Sequence, residues 1–244
     1  MARILILVII AAAGAALWAQ MPPSDRAAVE DYRAAIAALR TRTVPRGVEA
    51  AFSKLMALSE SLTRPRTGQL SVLESLSAED FRRLNAEIPG ARINREETVF
   101  VAPDPGYFVK LAGSRGDAAD RGFFSALKAT YPESVWPVYI EQQTDYSGCT
   151  SYGSGKLVAM YRRWSRFQRT FPNRYVVPVR ERLEDIRSQL TDSTCACGDA
   201  SSVEKEMQQF LRAFPTSPLR PRITERLQVL RNGGSDIRTH CISG

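Results

Sequence analysis

The sequence is poorest in histidine. His240 is the only one in 244 residues, so a Ser–His–Asp or Cys–His mechanism would have to run through it. It adjoins Cys241 near the chain end, which reads against that chemistry. No group of His, Cys, Asp and Glu has the spacing of a metal site, so neither a metal nor any other cofactor is expected. Beyond residue 17 no apolar run approaches the ~20 residues that a bilayer-crossing helix needs. Acidic charge is in deficit, with 26 Asp and Glu against 33 Lys and Arg and a net charge of +7.

What is present begins with an export signature. Arg3 supplies a positive start, Ile4 to Leu17 is an unbroken apolar run, and Ala19 offers a small residue for cleavage. Residues 1–19 therefore read as a signal peptide. The alternative is an uncleaved membrane anchor, because Leu17 and Trp18 make a poor cleavage box. The expected location is the periplasm or the extracellular space. Export gives the four cysteines, Cys149, Cys195, Cys197 and Cys241, a meaning: an even count in an oxidising compartment favours two disulfides. The remaining chain, 44% hydrophobic and 24% charged, has the balance of a globular protein with a core.

Residues 20–135 read as a helical region. Ser24 can cap a helix whose Val29, Tyr32, Ile36 and Leu39 share one face. Pro45 suits the first turn of a second helix, with Val48, Phe52, Leu55 and Leu62 inward. Leu70, Leu73 and Leu76 suggest a further turn or two, and Ser77 caps the helix that follows. Residues 97–101 form the best strand candidate, one without an evident partner. Asp104 and Asp117 open two further helices, the second burying Phe123, Phe124, Leu127 and Tyr131.

Residues 136–244 contain a segment written twice. Phe167, Arg169, Phe171, Pro172 and Pro178 recur 43 residues later as Phe210, Arg212, Phe214, Pro215 and Pro221. Arg182-Leu183 recurs 44 residues later as Arg226-Leu227, which places a one-residue insertion after the second proline. A period of this size points to stacked supersecondary units. Each unit reads as helix, Phe-Pro stop, helix. One stripe runs through Leu157, Tyr161, Trp164, Phe167 and Phe171, and its copy through Val203, Met207, Phe210 and Phe214. The return helices bury Val179, Leu183, Ile186 and Leu190, then Ile223, Leu227 and Leu230. Tyr131-Pro132 resembles a worn third copy. The cysteines obey the same arithmetic, with Cys197 and Cys241 44 apart. One staple per unit would pair Cys149 with Cys197 and Cys195 with Cys241; the rival pairs Cys149 with Cys195 and Cys197 with Cys241.

Two places invite function. The first is the polar run at 139–149, in which Tyr139, Glu141, Gln142, Gln143, Asp145 and Tyr146 precede Cys149. Its glycines argue for a ligand-facing loop or a disulfide-pinned connector. The second is charge. Residues 154–191 carry nine Lys or Arg against three Asp or Glu, a surplus equal to that of the whole chain once Arg3 is removed. Arg162, Arg163, Arg166 and Arg169 lie off the apolar face of their helix and suit an anionic surface, or a solvated helix. Charge alone would admit nucleic acid, and export argues against it. Gly113 to Gly116 reads as a turn, or a minor anion loop.

The expectation is thus a mostly α-helical exported protein with a disulfide-stapled, two-unit helical repeat at its C-terminus. The function expected is non-enzymatic: an envelope binding or scaffold protein whose partner is an anionic envelope surface or another envelope protein. The alternative is a hydrolase of a cell-wall polymer using Glu141 and Asp145 as acid and partner.

Overall fold

The computed structural model describes residues 21–65, 68–96, 99–130, 150–192 and 196–234. These form ten helices and a two-stranded sheet. No helix among them is long and apolar enough to cross a membrane. The chain divides into two units, 1–121 and 122–244. The expected export signal at residues 1–19 and the Tyr131-Pro132 corner lie outside the described residues.

In the first unit, α1 (Pro23–Thr41) and α2 (Gly47–Thr63) form a helical hairpin. Asp25 accepts a hydrogen bond from Ser61, and Lys54 donates to Asp31; the reversed order of these pairs makes the helices antiparallel. The expected stripes are the buried ones: Val29, Tyr32, Ile36 and Leu39 face Val48, Phe52, Leu55 and Leu62. Two starts differ from expectation. Helix α1 opens at Pro23 with Pro22 at the cap position and Ser24 inside the first turn, because the fixed φ of proline suits a first helical position better than a hydroxyl suits the second. Helix α2 opens at Gly47 after a left-handed Arg46, so Pro45 belongs to the turn. A side chain at Gly47 would meet Leu39 and Val44 at 2.8 Å, and only glycine lets α2 start that close to α1.

The short α3 (Val72–Ser75) is held by a reciprocal capping box between Ser71 and Glu74. Helix α4 (Ala78–Glu87) is capped by Ser77, as its sequence implies. The strand expectation needs correction. The segment near 97–101 does not stand alone: β1 (Ala91–Asn94) pairs antiparallel with β2 (Phe100–Pro103), Ile93 opposite Val101. The partner was hidden because Pro89-Gly90 reads as a helix stop, and here it also launches a strand. Gly90 has φ 78, and a Cβ there would strike the Tyr107 ring. Helix α5 (Pro105–Arg115) follows, with Asp104 accepting from the Tyr107 N–H at 3.0 Å. Burial pushes the Asp104 carboxyl up. The Tyr107 N–H and the Arg92 guanidinium outweigh it and hold the group below the usual carboxylate range. Helix α6 (Ala118–Thr130) starts in the first unit and runs into the second.

The second unit holds both written copies. Helices α7 (Lys156–Thr170) and α8 (Val176–Thr191) make the first hairpin, α9 (Ala200–Ala213) and α10 (Arg220–Arg231) the second. The Phe-Pro corners are nearly superposable in their torsions. Phe171 closes α7 at φ −133, ψ 64, and Phe214 closes α9 at φ −135, ψ 68. Each donates its N–H to the Phe four residues back, at 2.9 Å, and its carbonyl accepts from the residue three on. Proline at the next position stops the helix, since it has no N–H to continue the ladder.

The insertion, however, does not fall after the second proline. The hydrogen bond from Arg174 to Phe171 recurs 43 residues on, from Ser217 to Phe214. The next, from Val179 to Tyr175, recurs 44 on, from Ile223 to Leu219. The extra residue therefore lies in the loop, and Pro178 and Pro221 sit at the third and second positions of their helices rather than at equivalent ones. The shorter loop turns through a left-handed Tyr175 (φ 50), the longer one enters its helix through a right-handed Leu219 (φ −78). A left-handed non-glycine residue costs roughly 1–2 kcal/mol. Tyr175 offsets this by burial and by stacking on Phe123, centroids 3.8 Å apart.

Candidate functional site

Helix α7 is the element on which the candidate site is built. Its apolar face buries Leu157, Met160, Trp164 and Phe167. Trp164 also donates its indole N–H to Thr130 Oγ1 at 3.0 Å, so α7 is fixed about its own axis. The helix start has no cap of its own. Gly155 is left-handed (φ 78) and brings no side chain to the orphan N–H groups. Glu206, fully buried on α9, takes that role from the other hairpin: its carboxylate accepts from the Gly155 N–H at 2.7 Å and the Val158 N–H at 3.3 Å. A carboxylate at a helix start also meets the positive end of the helix dipole.

The second hairpin does the same at the far end of α8 with the opposite charge. Arg226 is buried and donates to the carbonyl of Gln189 at 3.0 Å, in the last turn of α8. That carbonyl also accepts from the Tyr152 hydroxyl at 2.7 Å, while the Gln189 side chain accepts from Thr150 Oγ1 at 2.8 Å. One acid and one base of the second hairpin thus dock on the positive and negative helix ends of the first.

With both helices held, their outer faces form a groove of about 190 Å³. Tyr161, Ser165 and Gln168 line it from α7, at the i, i+4, i+7 spacing of one helix face. Arg180, Leu183, Glu184 and Arg187 line it from α8 at the matching spacing, and Leu219 closes one side. Tyr161 is held edge-on against Phe210 and Phe214, centroids 4.9 Å from each. Leu183, expected in the core, is only half-buried, because it belongs to the groove. Glu184 is ion-paired with Arg187. Arg180 makes no ion pair among the described residues.

The four arginines singled out by the sequence, Arg162, Arg163, Arg166 and Arg169, are all exposed, and none has an acidic partner among the described residues. Arg162 lies over the Phe214 ring, 5.6 Å from its centroid, a cation–π contact. At 100° per residue, Arg162 and Arg169 sit beside the groove face of α7. These two also lie opposite the core stripe; Arg166 is further round from the groove, and Arg163 is on the flank away from it. The basic band and the groove share one border.

Tyr139, Glu141, Gln142, Gln143, Asp145 and Tyr146 lie outside the described residues, as do Cys149, Cys195, Cys241 and His240. Cys197 is described: it is exposed, its N–H donates to the Thr150 carbonyl at 3.0 Å, and Thr150 pairs in parallel with Ala196. The turn at Gly113 to Gly116 is not a loop. Residues 113–115 complete α5, Gly116 caps it, and Arg115 donates to the Arg40 carbonyl at 3.0 Å. The first unit carries a larger groove, about 530 Å³, between α1 and α4. Its charges balance, with Arg33 and Arg40 against Glu30 and Glu87, and Arg33 is paired to Glu87 at 2.9 Å.

The groove of the second unit was not legible in the sequence as such. Its signal was the polar flank of each stripe, Ser165 and Gln168 on one helix and Arg180 and Arg187 on the other, which no rule pairs before the hairpin is built. No family model, curated protein or solved structure matches the chain.

Proposed function

We propose that the protein is an exported, non-enzymatic binding or scaffold module of the cell envelope, and that its second unit engages an anionic envelope component through α7. The observation that carries this reading is the exposure of Arg162, Arg163, Arg166 and Arg169 without acidic partners among the described residues, on a helix whose apolar face is already spent on its own core. Charges arranged this way are not consumed internally, and a like-signed band raises the local concentration of an oppositely charged partner.

The same reading includes two disulfides, Cys149 with Cys197 and Cys195 with Cys241. The parallel Thr150–Ala196 bridge brings the described ends of the two cysteine-bearing segments together, and its register does not select this pairing over the rival one. A Cys149–Cys195 linked peptide in a non-reducing map overturns this pairing.

The test of the binding role replaces all four arginines by glutamine. Each basic residue close to an anionic surface is worth about 1 kcal/mol, so the variant should bind sodium polyphosphate, polygalacturonate, or vesicles of phosphatidylglycerol and phosphatidylcholine at least 100-fold more weakly. Binding of the unaltered protein should also fall as salt rises. Undiminished binding by a variant with an unchanged melting curve defeats the reading.

A further inference from the structure

We infer that the groove between α7 and α8 seats one segment of a linear polyanion, a polymer chain bearing repeated phosphate or carboxylate groups, while the basic band of α7 holds the flanking segments. The inference rests on the reading of that band as an anion-binding surface and names the class of ligand.

Three observations separate a chain from a bilayer. The first is the shape of the positive surface. It does not stop at the outer face of α7: it continues into a concavity where Arg180 and Arg187 stand on α8 against the single carboxylate of Glu184. A flat bilayer reaches the convex band and not the concavity, whereas a chain one residue wide follows both. The second is the fate of the apolar face. An interfacial helix binds lipid by laying its apolar face into the acyl boundary. On α7 that face is closed, with Leu157, Trp164 and Phe167 at most 5% exposed, so lipid would gain charge contact alone.

The third is the chemistry of the lining. Tyr161, Ser165 and Gln168 bring a phenol, a hydroxyl and a carboxamide to one wall, all able to donate to oxygen. Arg180 brings a planar fork that matches phosphate or carboxylate, and it is not engaged by an acid among the described residues. Arg187 lies seven residues further along α8, about 10 Å at 1.5 Å per residue, and is shared with Glu184. One wall therefore offers two guanidiniums in line with the helix axis, which suits successive charges on one chain rather than a single small ion. The Tyr161 ring, packed edge-on against both Phe210 and Phe214, is preorganised and loses little freedom on binding.

The experiment compares the full chain with Arg180→Gln/Arg187→Gln, with Arg180→Lys/Arg187→Lys, and with the four-fold glutamine variant of α7. The probes are sodium polyphosphate, polygalacturonate, inorganic phosphate, and vesicles of phosphatidylglycerol and phosphatidylcholine. We expect the groove glutamine variant to bind one or both polymers about tenfold more weakly, to bind vesicles within twofold of the unaltered protein, and to keep its melting temperature. The lysine variant should recover part of the loss, since it keeps charge without the fork. Inorganic phosphate should compete only weakly. Whichever polymer shows the loss identifies phosphate or carboxylate as the recognised group. Polymer binding unchanged in the groove variant, together with a loss in the four-fold variant, overturns the groove and leaves the basic band standing. Equal losses for polymer and vesicles, or vesicle binding with no polymer binding, also overturn it. No binding by the unaltered protein to any probe defeats both.

Discussion

The two hairpins of the second unit are copies whose corners agree and whose charges do not. Phe171 and Phe214 close their helices with torsions that differ by a few degrees. Yet Arg163 is exposed while Glu206, at the equivalent position, is wholly buried. Arg182 pairs within its own helix to Asp185 at 3.2 Å, while its counterpart Arg226 is buried against the end of α8. The ends differ as well. Helix α9 carries its own cap, Asp199, which accepts from the Ser202 N–H at 3.0 Å, whereas α7 borrows Glu206. The lesson is that a repeat copies local geometry, because that is set by neighbours in the chain. It does not copy polar roles, because those depend on what stacks against each face. Here the second hairpin spends its acid and base on the first, and the first keeps its basic face outward.

The largest effect that would sharpen this contrast lies in the core. Trp164 is fully buried and belongs to a ring cluster with Phe123, Phe167 and, through Phe123, Tyr175. Its copy position is Met207, also fully buried. Trp164→Ala should cost about 3–5 kcal/mol, while the near-isosteric Met207→Leu should cost less than about 1.5 kcal/mol, both read by urea unfolding. Next comes the borrowed cap. Glu206→Ala strands two N–H groups at the start of α7 and should cost about 3 kcal/mol. Arg163→Ala, at the equivalent but exposed position, should stay within about 0.5 kcal/mol. Equal costs would mean that the two positions do the same work despite their different burial.

The smallest effect concerns the cap that α9 owns. Hydrogen bonds from the Ser201 hydroxyl first, and then from the Ser202 N–H, hold the Asp199 carboxyl below its usual value. A carboxyl lowered in the folded state adds stability above its unfolded pKa, about 3.9, and loses it as pH falls through the folded value. The melting-temperature gap between Asp199→Ala and the unaltered protein should therefore be constant from neutral pH to about pH 5 and close below the ordinary aspartate range. A gap that does not change with acid would remove the charged cap from the account.

Much of this architecture could be read before folding. The stripes of α1 and α2 are buried as their spacing implies, because a helix with one apolar face has one way to hide it; on α7 and α9, Leu157, Trp164, Phe167, Val203, Met207 and Phe210 are buried, while Tyr161, at the groove, and Phe171 and Phe214, at the corners, are only half-buried. The Phe-Pro corners follow from a stop that proline enforces locally. The basic face of α7 was equally legible, since charges off the apolar stripe of an amphipathic helix point to solvent. Less was visible where distant segments meet. The pairing of Ala91–Asn94 with Phe100–Pro103 joins two four-residue strands, each too short for a periodic signal. Leu183 counted as core by its spacing and lines a groove instead. Matching prolines point to an insertion after the second of them, but Pro178 and Pro221 occupy different helical positions.

The helices and the charged side of α7 follow from residues within a few turns of one another, and the twofold recurrence from chain order alone. Folding brings Glu206 and Arg226 to the ends of another hairpin's helices, and sets Arg180 and Arg187 across a groove from Tyr161, Ser165 and Gln168. Those relations depend on how two helical surfaces dock, and docking is set by side-chain shape across the interface rather than by order along the chain.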